Sequence, residues 1–137
     1  MNDLIHILLI EDDLDDIELL QIALTDNKIN YKMDVIMEGS KVQSFIDECV
    51  ELPSIIVMDF NLPKVHGREI LTQIKSSDKL NQVPIIVLTT SAAKEDAEFA
   101  LEKGASHFIT KPTTILHFNE TVATITQTAS SKMPPNP

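Results

Sequence analysis

Five side chains that can do polar chemistry come just after short apolar runs of the sequence. Glu11 and Asp12 follow the first run, Asp59 the third, Thr89 the fourth and Lys111 the last. If these runs are parallel strands, their carboxyl ends meet along one sheet edge, where open α/β folds bind ligands. Carboxylates are hard oxygen ligands that suit Mg²⁺, and a lysine with a hydroxyl can hold a phosphoryl group attached to one carboxylate. We therefore expect a magnesium-dependent phosphoryl site.

Taken one at a time, these residues have ordinary explanations. A carboxylate after a strand is commonly a helix cap or a solvated loop residue, and Lys111 alone would be a surface lysine. Glu11 and Asp12 are more informative, because adjacent carboxylates repel each other unless a cation compensates. The acids that follow are assigned to a helix start, where the helix dipole favours negative charge; they are Asp13, Asp15 and Asp16.

The hydropathy pattern shows the elements that must position these residues. Short runs rich in Ile and Val are typical of strands buried on both faces of a parallel sheet. Five such runs occur, at Ile5–Ile10, Val35–Met37 (with Tyr31 and Met33 before it), Ile55–Met58, Pro84–Leu88 and His107–Ile109. Each is followed by a helical pattern. This alternation predicts a three-layer α/β domain around a doubly wound, five-stranded parallel sheet.

The helices are identified by apolar residues spaced three and four apart. The groups expected to face the core are Leu14, Ile17, Leu20 and Leu24; Val42, Phe45 and Ile46; Ile70, Leu71 and Ile74; Ala93, Ala97, Ala100 and Leu101; and Ile115, Phe118, Val122 and Ile125. Ser40 is a candidate cap of the second helix, and Gly104 suits the end of the fourth. We expect one domain at 1–127 and a disordered tail at 128–137, where the residues are small, polar and proline-rich.

Composition limits the classes of partner. The chain has 137 residues, of which 43% are hydrophobic, enough for one core. Its formal net charge of −10 disfavours nucleic acids and anionic membranes as partners. There is no membrane-spanning run and no basic signal region, and Cys49 is the only cysteine. We expect a soluble cytoplasmic domain that engages a divalent cation or a basic protein surface.

Short motifs in a fixed order strengthen this interpretation. They are LLIEDD at Leu8–Asp13, VMDFNLP at Val57–Pro63 with Gly67 after it, VLTTS at Val87–Ser91, GAS at Gly104–Ser106 and ITKP at Ile109–Pro112. Together they resemble the receiver domain of two-component response regulators, over about residues 4–127. The passage IKSSDKLNQVPIIVLT further resembles stand-alone receivers of the chemotaxis type and of the type that serves phytochrome-like sensor kinases.

The resemblance implies a flavodoxin-like sheet with strand order 2-1-3-4-5 and a function in phosphorelay signal transduction. A sensor histidine kinase or a histidine phosphotransfer protein would supply the phosphoryl group, and a downstream protein would read the result. The receiver would form an aspartyl phosphate and assist its own phosphorylation and dephosphorylation, without being a turnover enzyme. Four kinds of residue are implied: a phosphoacceptor, Asp59; Mg²⁺ ligands, Glu11, Asp12, Asp59 and the backbone carbonyl of Asn61; phosphoryl-binding groups, Thr89 and Lys111; and a switch pair, Thr89 and Phe108.

The last motif and the two residues that flank it carry three further expectations. Pro112 matches a proline whose preceding peptide bond is typically cis in the family, and proline is the ordinary place for such a bond. Phe108 keeps the aromatic ring of the switch position but lacks a tyrosine hydroxyl, so no hydroxyl can hold its side chain in an outward position. Thr113 replaces an apolar or aromatic residue, so we expect Thr113 and Thr114 to cap the last helix.

Three alternative functions belong to other classes of protein. The main alternative is a phosphate-independent pseudo-receiver that acts as an interaction module. An aspartyl-phosphate phosphohydrolase would need a second acid at the position of Asn61. A flavin binder of the same fold would need a phosphate loop rich in Gly, Ser and Thr after the first strand, where this chain has the acidic run that begins at Glu11. Assembly is a further expectation: exposed apolar groups on the fourth helix, fifth strand and fifth helix, such as Leu101 and Leu116, suit a homodimer.

Overall fold

The computed structural model describes residues 4–90 and 93–131. Within them, five strands alternate with five helices, and a short 3-10 helix (Gly39–Lys41) precedes the second α-helix. The strands are β1 (Ile5–Ile10), β2 (Tyr31–Ile36), β3 (Ile55–Met58), β4 (Ile85–Thr89) and β5 (His107–Thr110). The helices are α1 (Leu14–Asp26), α2 (Val42–Glu48), α3 (Gly67–Lys75), α4 (Lys94–Glu102) and α5 (Ile115–Ser131).

The five strands form one parallel sheet in the order β2-β1-β3-β4-β5, which confirms the predicted fold. The most buried strands are β1, β3 and β4, and their Ile- and Val-rich sequences follow from having both faces covered. β5 is an edge strand paired with β4, with Thr110 opposite Thr89. This register brings the end of β5 level with the end of β4.

The core has two layers, one on each side of the sheet. Leu8 and Ile10 belong to the layer that includes α2 and α3, whereas Ile7 and Leu9 belong to the layer that includes α1 and α5. This alternation follows from the two-residue period of a strand. Helices therefore cover both faces of the sheet, and a functional site has to form at the strand ends.

The expected helix faces are correct in outline and wrong at some positions. Leu14 and Ile115 are 69% and 79% exposed, because each is the first residue of a helix whose packed face begins about a turn later. On α4, Phe99 packs against the core, whereas Leu101 is 51% exposed. Ser40 lies inside the 3-10 helix, and Lys41 precedes α2 without a side-chain capping bond, so the predicted cap at Ser40 is wrong.

Three other helix ends match the chemistry of their residues. Asp13 caps α1, since its Oδ1 accepts from the backbone N–H groups of Asp15 (2.9 Å) and Asp16 (3.3 Å). Thr114 accepts from the His117 N–H at 3.3 Å, in agreement with the expected threonine cap of α5. Gly104 follows α4 with a φ of 104°, a left-handed conformation that favours glycine.

The last helix is longer than predicted. α5 extends through Ser131, and Thr128 and Ala129 are buried, so a tail beginning at residue 128 is wrong. Small side chains allow this segment to pack: Ala129 belongs to the same apolar layer as Leu24 of α1. The remainder of the predicted tail, 132–137, lies outside the described residues, as does Ser91. None of the helices in the described ranges has the length and apolarity of a membrane span.

Candidate functional site

The structure brings the predicted polar residues together at the carboxyl edge of the sheet. Glu11 and Asp12 follow β1, Asp59 follows β3, Thr89 ends β4 and Lys111 follows β5. Glu11, Asp59 and Thr89 are buried, whereas Asp12 and Lys111 are partly exposed. The site is thus an acidic pocket formed at the ends of four strands.

Lys111 is the centre of this pocket. Its Nζ lies 2.6 Å from Glu11 Oε1, 2.7 Å from Asp16 Oδ2 and 3.0 Å from Asp59 Oδ2. Its backbone N–H donates to the Thr89 carbonyl at 2.8 Å, which fixes the start of the side chain beside β4. Burial alone would lower the pKa of the Lys111 ammonium, but hydrogen bonds to Asp16, Glu11 and Asp59 outweigh it and raise the pKa.

Both carboxylate oxygens of Asp59 have defined partners. Oδ1 accepts from the Asn61 N–H at 2.9 Å, and Oδ2 accepts from Lys111. Burial raises the pKa of Asp59, but the hydrogen bonds from Asn61, Lys111 and the Thr89 hydroxyl act in the opposite direction, and the net pKa is lowered. Asp59 is therefore an ionised carboxylate near neutral pH, although it is only 4% exposed.

The pKa of Glu11 is shifted in the opposite direction to that of Asp59. Burial raises its pKa to about 7, and the hydrogen bond from Lys111 only partly offsets this. Its Oε2 accepts from the backbone N–H groups of Asp12 (3.0 Å) and Asp13 (3.2 Å), so the side chain is held at the turn into α1. Glu11 and Asp59 thus share one lysine and differ in how readily each carries a charge.

Three of these acids are arranged as a metal site would require. Glu11, Asp12 and Asp59 each offer a carboxylate oxygen, and the three oxygens lie within 4.8 Å of one another. Hard oxygen donors of this kind suit a small divalent cation, and the pocket holds more carboxylates than ammonium groups. The donor set therefore fits Mg²⁺.

A second set of contacts leads from the pocket to the loop after β4. Asn61 Nδ2 lies 3.3 Å from Thr89 Oγ1 and 3.0 Å from Thr90 Oγ1, which joins the loop after β3 to the end of β4. Phe108 on β5 is partly buried and packs edge-on against Phe60, with ring centroids 5.9 Å apart at 78°. Phe60 directly follows Asp59, so the aromatic pair lies next to the acidic pocket.

The last motif differs from expectation at Pro112. The backbone of the described residues contains no cis peptide bond, so the bond before Pro112 is trans and the expected cis bond is wrong. The trans form is the intrinsically favoured isomer of an X–Pro bond. Lys111 reaches the three carboxylates in this conformation.

Sequence reasoning missed one member of the pocket. The pattern assigns Asp16 only to the start of α1, yet its Oδ2 accepts from Lys111 Nζ at 2.7 Å. A signal was available, because Asp16 directly precedes the buried Ile17 and therefore borders the packed face of α1, whereas Asp15 lies on the opposite side. Asp15 is exposed, and Asp16 is partly buried.

The chain matches known proteins over most of its length. Residues 7–123 match the family described as "Response regulator receiver domain". A 110-residue stretch is 34% identical to "Response regulator Rcp1" of Synechocystis sp., covering 77% of this chain and 75% of that protein.

Two solved structures agree in fold. The phosphorylated cyanobacterial phytochrome response regulator RcpA superposes with a TM-score of 0.84 at 28% identity, covering 96% of this chain and 98% of that one. The Mn²⁺-bound form of Rcp1 gives 0.77 at 30% identity, with coverages of 88% and 90%. With the family match over residues 7–123 and the pocket at the strand ends, this chain belongs to the response regulator receiver domain family.

Proposed function

We propose that this receiver domain accepts a phosphoryl group on Asp59 from a phosphohistidine of a sensor histidine kinase or a histidine phosphotransfer protein. The observation that carries the proposal is the state of Asp59: it is nearly buried, its pKa is lowered, and a lysine lies 3.0 Å from one of its oxygens. An ionised carboxylate is already a nucleophile, so the transfer needs no general base.

In the proposed transfer, an Asp59 oxygen forms a bond to phosphorus as the bond from phosphorus to the histidine nitrogen breaks. The electron pair of that bond stays on the imidazole, and the product is an acyl phosphate on Asp59. Lys111 offers an ammonium beside the reacting carboxylate, where negative charge spreads over the phosphoryl oxygens. The Asn61 N–H holds the other Asp59 oxygen and so orients the carboxylate.

The residues that would hold Mg²⁺ are Glu11, Asp12, Asp59 and the backbone carbonyl of Asn61. When bound, the cation supplies positive charge for the phosphoryl oxygens and offsets the repulsion among the acids. The relative Rcp1 has been solved in a Mn²⁺-bound form, which supports a divalent cation for this chain as well.

The output is a change of the receiver's own surface. A phosphoryl group adds about 1.5 to 2 negative charges at neutral pH. In our proposal the Thr89 hydroxyl and Lys111 bind this group better in one arrangement of the β4–α4 loop and β5, and that arrangement gains population in proportion to the difference in affinity. In our proposal the side chain of Phe108 changes position together with Thr89. Its ring packs on Phe60, which directly follows Asp59 in the sequence.

The experiment that tests this function is the intact mass of the protein after incubation with acetyl phosphate and Mg²⁺. We expect a gain of one phosphoryl group in the wild-type chain and none in Asp59→Asn, which keeps the shape and removes the nucleophile. No gain in the wild type would favour the alternative, a phosphate-independent interaction module, and a gain in Asp59→Asn would place the acceptor elsewhere.

For partners, the proposal includes a weak homodimer through the face formed by α4, β5 and α5. Three large apolar side chains are exposed there: Leu101 at 51%, Ile115 at 79% and Leu116 at 75%. One self-complementary face is enough for a two-fold dimer. The net charge of −10 disfavours nucleic acid and anionic membranes as partners, and we place the domain in the cytoplasm, alongside the kinase domain that would phosphorylate it.

Sedimentation velocity with and without beryllofluoride, a phosphoryl mimic, tests the dimer. We expect a larger dimer fraction in beryllofluoride and a smaller one in Leu116→Ser. A monomer in both conditions at high concentration would reject the homodimer and leave a different protein as the partner of this face.

A further inference from the structure

The contact between Asp16 and Lys111 joins two parts of the chain that are 95 residues apart. An ammonium group has three N–H donors. Lys111 Nζ has three carboxylate oxygens within 3.0 Å, from Glu11, Asp16 and Asp59, so each donor has one acceptor. Asp16 therefore completes the coordination of the lysine, although it stands on a helix and not at a strand end.

Asp16 differs from the other two acceptors in its surroundings. The oxygens of Glu11 and Asp59 belong to the cluster that could hold a cation, and Asp16 is not a member of that cluster. The side chains of Glu11 and Asp59 are each 5% exposed, whereas that of Asp16 is 31% exposed. Of the three acceptors, Asp16 is thus the one whose carboxylate would remain available to Lys111 when a cation is bound.

We propose that Asp16 is a positioning residue that holds the Lys111 ammonium over Asp59 when a divalent cation occupies the pocket. The proposal rests on the proposed function of Asp59 as the phosphoacceptor. Glu11 and Asp59 would hold the cation, whose charge would repel the Lys111 ammonium, so in a variant without the Asp16 carboxylate the lysine would have no acceptor among these three that is not also needed by the cation. Lys111 then leaves its place beside the reacting carboxylate for part of the time.

The first test compares Asp16→Asn with Asp15→Asn. Both variants remove one negative charge from the first turn of α1, but Asp15 is exposed, and within residues 4–90 and 93–131 its side chain has no hydrogen bond or ion pair to a pocket residue. We expect Asp16→Asn to slow phosphoryl incorporation at saturating acetyl phosphate and Mg²⁺ by about tenfold, the size of one charge-assisted hydrogen bond. The acetyl phosphate concentration at half-maximal rate should stay within about twofold. Asp16→Glu, which keeps the carboxylate, should restore most of the rate.

The second test observes the lysine itself by NMR of the ammonium ¹⁵N in protein saturated with Mg²⁺ and free of acetyl phosphate. We expect the Lys111 ammonium to be ordered in the wild type and in Asp15→Asn, and mobile in Asp16→Asn. Equal incorporation rates in the two Asn variants, or an equally ordered Lys111 in both, would overturn the proposal.

The two tests also separate this proposal from the proposed function. If the wild-type chain gains no phosphoryl group, the function assigned to Asp59 fails. The NMR comparison still decides whether Asp16 holds Lys111, because it needs no phosphorylation.

Discussion

Replacing Lys111 with methionine removes the ammonium group that Glu11, Asp16 and Asp59 share. Methionine keeps an aliphatic side chain of similar length, so the packing of the stem is largely preserved. The Lys111 side chain is 12% exposed, and the side chains of Glu11 and Asp59 are each 5% exposed. Removing one partner of a buried ion pair costs about 3–5 kcal/mol, since a charge is left buried without compensation.

Two features of the pocket determine how much stability Lys111→Met loses. Glu11 has a pKa of about 7, so near neutral pH it can take up a proton when the lysine is lost, and this limits the cost. Asp59 keeps the hydrogen bonds from Asn61 and the Thr89 hydroxyl that lower its pKa, but it loses the hydrogen bond and the charge of Lys111 and is left as a buried carboxylate without a counter-charge. We therefore expect Lys111→Met to lower the free energy of unfolding by about 3 kcal/mol without metal, at the lower end of the range for buried pairs.

Magnesium should reverse much of this loss. A ligand that binds only the folded state adds RT ln(1 + [L]/Kd) to stability. Without the ammonium, the cation no longer competes for the oxygens of Glu11 and Asp59, so we expect Mg²⁺ to stabilise Lys111→Met more than it stabilises the wild type. Urea unfolding followed by circular dichroism, in EDTA and in Mg²⁺, measures both quantities.

Lys94→Met is the matched control. It removes the same charge from a lysine whose side chain is 86% exposed and whose nearest carboxylate, Glu98, is 3.8 Å away. A surface change of this kind should alter stability by less than about 0.5 kcal/mol. The reasoning is refuted if Lys111→Met is as stable as this control in EDTA, or if Mg²⁺ stabilises the variant no more than the wild type.

Two more changes probe the metal site and the packing beside it. Asp12→Ala should weaken Mg²⁺ binding by at least about tenfold in calorimetric titration, because one charged ligand is lost. Asp15→Ala, the control, should bind Mg²⁺ as the wild type does. Equal affinities of the two variants would show that Asp12 is not a ligand. Gly67→Ala should cost about 1–3 kcal/mol in thermal unfolding, because its Cβ would lie 2.5 Å from the Phe60 Cα; a variant as stable as the wild type would mean that the loop after β3 gives way easily.

The sheet and the position of the pocket could be predicted because both depend on local sequence. Ile55–Met58 is an unbroken apolar run, and its shortness and its Ile and Val content favour a strand covered on both faces. Once the runs are parallel strands, Asp59 and Lys111 must lie at the same edge. The motifs then identify the family without any knowledge of distances.

The details that could not be predicted depend on long-range packing. Asp15 and Asp16 are identical in type. Helix periodicity places Asp16 beside the packed face of α1, but its contact with Lys111 also depends on the tertiary position of the segment after β5. The sequence pattern ends α5 too early because Thr128 and Ala129 carry little apolar area, yet both are buried. On α4, spacing alone does not distinguish Leu101 from Phe99 as the residue that packs on the core.

The most direct test of the central claim is to locate the phosphorylated residue chemically. The protein is treated with acetyl phosphate and Mg²⁺, the acyl phosphate is reduced with borohydride, and the modified residue is found by tandem mass spectrometry of the peptides. Our account predicts that reduction converts Asp59 to homoserine and leaves Glu11, Asp12 and Asp16 unchanged. A reduced residue at any other carboxylate, or none at all in protein that had gained a phosphoryl group, would contradict the assignment of Asp59.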